Sequence, residues 1–231
     1  MIPLRPNKGK KLAILLNGKK YYRYPIKTHV VSRRDDVLKT VKRYILPHLC
    51  KGDIIIVSER IVAIMQGRSY NTKLINPSWW AKILSAFVYK HPGGIGLRSP
   101  FTMELAIREV GLWRVLMAAI VSVITKPFGF RGVFYQIAGG NINAIDGPTP
   151  YSLPPSDQSA KLPPKDPEGV ARTIEKAVKE GVVIIDANDY GVNILGMSPK
   201  AKLSKLPFKI IFADNPMGQS REQTPIMIVR Q

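Results

Sequence analysis

The sequence predicts an α/β (α+β) protein in which mixed β-sheets pack against helices. Residues 54–57 and 182–185 are β-favouring and apolar throughout, which is typical of strands buried on both faces. The clearest helix lies between residues 166 and 181, where apolar side chains recur at helical spacing directly before the second of these strands. Strands and helices that alternate in this way predict the fold class.

The first part of the chain predicts a hairpin followed by a helix. Residues 11–16 and 21–26 are the two strands, and Asn17-Gly18 is a strong hairpin turn because both residues tolerate a positive φ. A helix is expected to start at Asp35. After the strand 54–57, residues 58–65 either begin a helix or continue extended.

The middle of the chain predicts three helices, at residues 79–89, 99–111 and 112–125. The second begins at Ser99-Pro100, where serine caps the helix and proline suits the first helical position. The third carries one charge, Arg114, so we expect it to be buried on most sides, with membrane attachment as the minor alternative. A glycine-rich turn is expected at 91–96 and a strand at 129–137.

The last part predicts a capped helix and three strands. Asp166 is the expected N-cap and Gly181 the expected C-cap of the helix. The strands follow at residues 182–185, 210–213 and 226–229.

Positive charge is concentrated in one part of the chain. The net charge is +19, and residues 1–145 hold 24 Lys/Arg against 6 Asp/Glu. We therefore separate a basic N-terminal part, residues 1–150, from a C-terminal part, residues 151–231, within one structural unit. The excess favours an anionic partner such as a nucleotide, a small anionic substrate, nucleic acid or a membrane surface, although it also suits a solvated face. Nucleic acid is possible but not favoured, because no recognised binding motif is present.

Several classes of protein do not fit the sequence. No apolar run is long enough for a membrane span, and no signal-peptide pattern is found, so we expect a cytoplasmic protein. The single cysteine, Cys50, excludes an internal disulfide and is expected to be buried. The three histidines are scattered without ligand spacing.

Oxygen donors follow the strand at 182–185. Asp186, Asn188 and Asp189 lie within four residues, and hard oxygen ligands suit Mg²⁺ or Mn²⁺. The carboxyl end of a strand is also where open α/β sheets bind ligands. The alternative is a polar turn that only ends the strand.

Three segments in this order resemble the coenzyme F-420 gamma-glutamyl ligase family. They are Gly52 to Arg68, the loop Ala138 to Asp146, and Leu162 to Glu168 with the helix and strand that lead to Gly191. The resemblance implies a fold particular to that family and an intertwined homodimer. It also implies a ligase that joins L-glutamate in amide linkage to a phosphorylated deazaflavin acceptor, with GTP as co-substrate and Mg²⁺ or Mn²⁺ as metal.

The resemblance also implies site residues. Nucleotide and phosphate binding falls on Ser58, Arg60, Gly67 and Arg68, and metal binding on Asn143, Asp146, Asp186, Asn188 and Asp189. Five positions differ from the family pattern: Arg60 replaces a lysine, Ala63 a serine, Gln66 a glutamate, Asn143 an aspartate and Val192 an arginine. The exchanges remove negative charge at Gln66 and Asn143 and one positive charge at Val192. They keep a second function open, a non-catalytic protein of the same fold that binds a nucleotide, a phosphometabolite or nucleic acid.

Simpler roles remain open for individual residues. Arg68 can be a surface charge, Asp146 a turn former and Asp166 only an N-cap. The tryptophans are expected in a core or a dimer interface rather than in stacking platforms, and they are Trp79, Trp80 and Trp113.

Overall fold

The computed structural model describes residues 4–88, 95–149, 152–189, 191–218 and 221–231. The chain forms two compact units. The first unit comprises Met1–Gly67, Tyr151–Leu153 and Pro164–Gln231, and the second comprises Arg68–Pro150 and Pro154–Pro163. The second unit is thus inserted into the first, and the two units do not follow the division at residue 150 that charge suggests. Most of the turn expected at 91–96 lies outside the described residues.

The strands are, in chain order, β1 (Ala13–Leu16), β2 (Lys19–Ile26), β3 (Ile54–Ser58), β4 (Ser69–Asn71), β5 (Ser159–Lys161), β6 (Gly181–Asn188), β7 (Gly191–Met197) and β8 (Ile226–Arg230). The helices are α1 (Val37–Ile45), α2 (Glu59–Met65), α3 (Trp79–Ala86), α4 (Pro100–Val110), α5 (Leu112–Thr125), α6 (Val133–Ala138), α7 (Pro167–Val178), α8 (Pro199–Leu203) and α9 (Phe208–Ile211). Short 3₁₀ turns lie at Thr72–Leu74, Gly96–Arg98, Lys126–Phe128, Ile142–Ala144 and Ser156–Gln158. This mixed α/β architecture confirms the predicted fold class.

The first unit contains a six-stranded sheet with the order β1-β2-β8-β3-β6-β7. The β3–β6 pair is parallel and the other neighbouring pairs are antiparallel. Asn17 and Gly18 both have a positive φ at the β1–β2 turn, as the hairpin prediction requires. The final strand, β8, lies between β2 and β3, so the end of the chain completes the middle of the sheet.

Helices cover both faces of this sheet. The apolar residues of β3 and β6 alternate between the two faces, since Val57 and Ile184 pack with α1, α2 and α7. Their neighbours Ile56 and Val183 pack with α8 and α9 on the other face. Burial on both faces explains why these strands are apolar throughout.

A charged pair fixes β8 beside the start of β3. The guanidinium of Arg230 donates to both carboxylate oxygens of Asp53, at 2.7 and 2.8 Å. Asp53 is fully buried, and its carboxylate raises the pKa of Arg230 above an already high value. A bidentate arginine–carboxylate pair combines charge with fixed geometry, so it holds the last strand in register.

The second unit has its own core, built from α3, α4, α5, α6 and the β4–β5 ribbon. The expectation of a buried third helix is wrong for α5, because only Val115 and Ala118 of this helix are buried. Trp113 is 80% exposed, and Trp79 and Trp80 are exposed as well, so none of the tryptophans is a core residue. Within the described residues, no helix is long and apolar enough to cross a membrane.

Two predicted strands are helices instead. Residues 129–137 contain α6, where left-handed Gly132 caps a short helix that packs on α5. Residues 210–213 overlap α9, whose Phe208 and Ile211 pack in the core on one face of the sheet. In both segments β-branched and aromatic residues favour a strand locally, and packing against neighbouring elements decides the outcome.

Three local predictions also need correction. The N-cap of α1 is Asp36 rather than Asp35, and the C-cap of α7 is Lys179 rather than Gly181. Gly181 has a different role, since a Cβ there would come within 2.7 Å of the Ile54 side chain and 2.9 Å of the Ala201 backbone. Cys50 is exposed, not buried.

We expect Gly196→Ala to lower the free energy of unfolding by about 2–3 kcal/mol, as overpacking does when the neighbour cannot yield. A Cβ on Gly196 would meet the carbonyl carbon of Pro167 at 2.5 Å and the backbone nitrogen of Glu168 at 2.6 Å. Chemical denaturation measures the change. Gly191→Ala in the same strand is the control, because a Cβ there meets nothing within 4 Å; equal losses for both variants would contradict the packing argument.

Candidate functional site

The candidate site lies at the carboxyl edge of the parallel pair β3–β6 in the first unit. Ser58, the last residue of β3, is the register partner of Ile185 in β6. Glu59 directly follows Ser58 as the first residue of α2, and Asp186 directly follows Ile185 in β6. Both carboxylates therefore lie at the same edge of the sheet. Parallel strands bring their carboxyl ends together, which is why open α/β sheets bind ligands there.

Ser58 connects β3 to α2 and caps the helix. Its side chain accepts a hydrogen bond from the backbone N–H of Arg60. The Arg60 guanidinium is half-buried and lies 3.5 Å from the hydroxyl of Ser152, which belongs to the same unit. The edge therefore combines one cation with two hydroxyl groups, a set suited to binding phosphate oxygens.

Glu59 is a carboxylate that the sequence analysis did not single out. It is only 3% exposed, although it stands in the first turn of α2. Its position has a signal in the sequence, because Glu59 follows the buried strand β3 in the same way as Asp186 follows the apolar run 182–185.

Asp186 and Asn188 lie on one face at the end of β6. Side chains alternate along a strand, and Ala187 packs with the α8–α9 core. Asp186 and Asn188 therefore project from the opposite face, which carries α1, α2 and α7. The Asn188 side chain also accepts a hydrogen bond from Gly191 N–H at 3.1 Å, so it shapes the turn into β7.

Asp189 lies in the turn after β6 and contacts other parts of the first unit. Its carboxylate is 3.7 Å from the Lys10 ammonium and accepts a hydrogen bond from Asn215 at 3.3 Å. These contacts join the N-terminal segment to the end of β6. Asp189 is thus engaged in holding the chain together beside the edge that Asp186 occupies.

Gln66, which the sequence resemblance sets at a glutamate position, has a clear structural role. Its amide nitrogen donates to the Lys165 carbonyl at 3.0 Å, and its amide oxygen accepts from the Lys165 N–H at 2.7 Å. A glutamate carboxylate at this position could accept the second bond but could not donate the first. Gly67 follows with φ 72°, in the left-handed region that favours glycine.

Arg68 is not the surface charge that the sequence left open. It is 6% exposed and belongs to the second unit. Its guanidinium donates to the carboxylate of Glu109 at 2.7 Å and to the carbonyl of Pro163. This geometry ties the start of the second unit to the end of α4.

Asn143 and Asp146 also belong to the second unit, whereas Asp186, Asn188 and Asp189 belong to the first. Asn143 is exposed, and Asp146 forms an isolated antiparallel bridge with Lys161. The carboxylate of Asp146 accepts from Gly147 N–H at 2.9 Å, as expected of a turn former. Lys161 is buried with its ammonium 3.4 Å from the Ala144 carbonyl, a position that a single lysine in a proline-rich stretch does not reveal in the sequence.

Among the described residues, no group of three or more His, Cys, Asp and Glu side chains is clustered as a metal site. The predicted metal ligands include Asn143 and Asn188, whose amide oxygens fall outside that count. A metal at the first-unit edge would therefore draw on few carboxylates.

Comparison with protein families identifies the chain. The family described as F420-0:gamma-glutamyl ligase matches residues 25–194, which is most of the sequence. The chain belongs to the F420-0:gamma-glutamyl ligase family. This confirms the resemblance that three sequence segments predicted. No curated protein matches the chain.

The family match covers the candidate edge of this gamma-glutamyl ligase family member. It runs from Pro25 in β2 to Ile194 in β7, so it includes β3, α2, the inserted second unit and β6. The final strand β8, which completes the middle of the sheet, follows the matched segment.

We expect Arg68→Ala to lower the free energy of unfolding by about 3 kcal/mol, because it leaves Glu109 without its cation in a largely buried pair. The control is Arg172→Ala, which removes the same charge from an exposed i,i+4 pair with Glu168 and should cost less than about 1 kcal/mol. Urea denaturation compares the two variants. Unchanged stability of Arg68→Ala together with weakened GTP binding would instead assign Arg68 to phosphate.

Proposed function

We propose that the protein is a GTP- and divalent-metal-dependent ligase that adds L-glutamate in amide linkage to a phosphorylated deazaflavin-type acceptor. Family membership supports a gamma-glutamyl ligase activity. The observation that carries the proposal is the β3–β6 edge, where Ser58, Glu59 and Arg60 stand beside Asp186 in one unit. An intertwined homodimer and a cytoplasmic location are part of the same proposal.

The proposed reaction has two balanced steps. The γ-phosphoryl group of GTP is transferred to the acceptor carboxylate, which gives an acyl phosphate and GDP. The amine of glutamate then attacks the acyl carbon, and inorganic phosphate leaves as the amide forms. A free carboxylate is a poor acyl donor, so the first step makes the second feasible. Phosphoryl transfer is achieved mainly by positioning and by charge neutralisation, and these are the roles assigned to the edge residues.

Arg60 is the proposed phosphate-binding cation. Its half-buried guanidinium stands at the start of α2 beside two hydroxyls, Ser58 and Ser152. A guanidinium offers several donors in a fixed plane, which matches phosphate oxygens. The family lysine that Arg60 replaces offers a point charge instead, so the exchange keeps the charge and changes the geometry.

Asp186 and Glu59 are the proposed carboxylate ligands of Mg²⁺ or Mn²⁺, with Asn188 as an amide ligand. Their hard oxygen donors fit these ions, which usually keep water and nucleotide phosphate among their ligands. When bound, such an ion neutralises the developing charge on the phosphoryl oxygens. Two carboxylates and an amide from the protein leave room for the nucleotide oxygens.

We expect Arg60→Ala to weaken GTP binding by about 1.5–3 kcal/mol, the range for a hydrogen bond to a charged group. Arg34→Ala is the matched control, since Arg34 is an exposed arginine of the same unit. Calorimetric titration with GTP in the presence of Mg²⁺ measures both variants. If the two variants bound GTP with equal affinity, Arg60 would not be a phosphate-binding residue.

We expect Asp186→Asn to weaken Mn²⁺ binding in the presence of GTP by about tenfold or more, because a neutral amide ligand lacks the full charge of a carboxylate. Glu180→Gln is the control. Glu180 directly precedes β6, at the end opposite Asp186, and accepts a hydrogen bond from Gly52 N–H. Titration followed by the electron paramagnetic resonance of free Mn²⁺ gives the affinity. If Asp186→Asn bound Mn²⁺ with wild-type affinity, the metal would not bind at this edge.

A second function is favoured by the changes at family positions. Asn143 lacks the charge of the family aspartate, and Gln66 is occupied with the Lys165 backbone. Such a protein would bind a nucleotide or phosphometabolite without forming an amide. A binding protein of this kind is distinguished from the ligase because it would bind GTP but release no GDP when glutamate and acceptor are supplied. Binding to a random DNA duplex, with a log–log salt slope of about −0.9 per phosphate contact and no GTP binding, would indicate nucleic acid instead.

A further inference from the structure

Helix α5 in the second unit presents an apolar face to solvent. We define the α5 apolar face by six exposed side chains, Trp113, Met117, Ile120, Ile124, Phe128 and Phe130. The first four recur at intervals of three or four residues, which places them on one side of the helix. The two phenylalanines extend the apolar character into the turn that follows it.

The other side of α5 is already used by the protein. Val115 and Ala118 are buried in the core of the second unit, and α6 packs against the helix. A helix that is apolar all round is normally buried on all sides or in contact with lipid. The α5 apolar face is the part that the described residues leave uncovered.

The dimensions of α5 decide how it can contact lipid. Its 14 residues measure about 21 Å at 1.5 Å per residue, less than the roughly 30 Å of a bilayer's hydrocarbon core. The helix cannot cross a membrane at this length. It can lie parallel to the membrane surface, as interfacial helices do, with the protein unit in place of their polar side.

Charge identifies the partner. Residues 110–145 contain Arg114, Lys126 and Arg131 and no acidic residue. All three cations are exposed, one near the start of α5 and two after its end. In a two-fold dimer the same patch would meet itself, so these cations would face one another without carboxylates. An anionic surface pairs with all of them.

We propose that the α5 apolar face attaches the protein peripherally to an anionic lipid membrane. Ile120 and Ile124 enter the boundary between headgroups and acyl chains, about 5–10 Å deep. Trp113 lies at the headgroup level that tryptophan prefers, and the three cations reach the lipid phosphates. This attachment uses the second unit only and does not depend on the ligase function proposed for the first unit.

Vesicle binding tests the proposal. The full chain is sedimented with vesicles of equal parts phosphatidylcholine and phosphatidylglycerol, and with vesicles of phosphatidylcholine alone. We expect strong binding to the first, weak binding to the second, and a decrease with added salt because the charges are exposed. In a Trp79→Phe/Trp80→Phe variant, the emission of Trp113 should shift to shorter wavelength on the anionic vesicles.

Matched variants separate the apolar and the charged contributions. Ile120→Glu should lower the affinity for anionic vesicles about tenfold or more, because the side chain no longer enters an apolar environment. Arg131→Gln should lower it about fivefold, the effect of one cation near an anionic surface. Leu203→Glu is the control, since Leu203 is an exposed leucine of the first unit and its replacement should leave binding unchanged. Far-ultraviolet circular dichroism confirms that each variant is folded. Met117→Ser is a second substitution on the α5 apolar face, and it introduces no charge.

Three results would overturn the proposal. The first is no sedimentation with anionic vesicles. The second is equal loss for Leu203→Glu and Ile120→Glu. The third is a dimer by light scattering that dissociates in Ile120→Glu and shields Trp113 from a soluble quencher without vesicles, because a second copy would then cover the face.

Discussion

The parallel pairing of β3 with β6 is the constraint on which the rest of the first unit depends. The two strands meet in the middle of the sheet although the whole second unit lies between them in the chain. Burial on both faces supplies the apolar stabilisation, and β8 flanks β3 through the Asp53–Arg230 pair. Once this register is set, the residues that follow each strand must share one edge.

The residues of this edge are positioned independently of Gln66, Arg68 and Asn143. Gln66 is hydrogen-bonded to the Lys165 backbone, and Arg68 pairs with the Glu109 carboxylate. The ends of β3 and β6 fix the positions of Arg60, Glu59 and Asp186, so these positions do not depend on contacts among the three side chains. Groups held by rigid elements keep their geometry when neighbouring side chains change.

The sequence predicts the elements that are periodic or capped, and it fails where packing outweighs local preference. The hairpin at Asn17-Gly18, the cap at Asp166 and the buried strands follow from residue chemistry alone. Residues 129–137 look like a strand but form α6, because contact with α5 decides their conformation. The burial of Glu59 and of Lys161 depends on the whole fold, so the local sequence gives the place of these charged residues in the chain but not their burial.

The way in which the chain passes between the two units determines whether the inserted second unit can be replaced. Gln66 is hydrogen-bonded to Lys165 within the first unit, and Arg68 accepts from Leu162 N–H within the second. The outgoing and returning segments are thus joined by hydrogen bonds within each unit. A chain joined in this way can carry inserts of different size, because the pairing of β3 with β6 is made within the first unit. The insert can therefore be exchanged for another sequence without altering the residues of the β3–β6 edge, which all belong to the first unit.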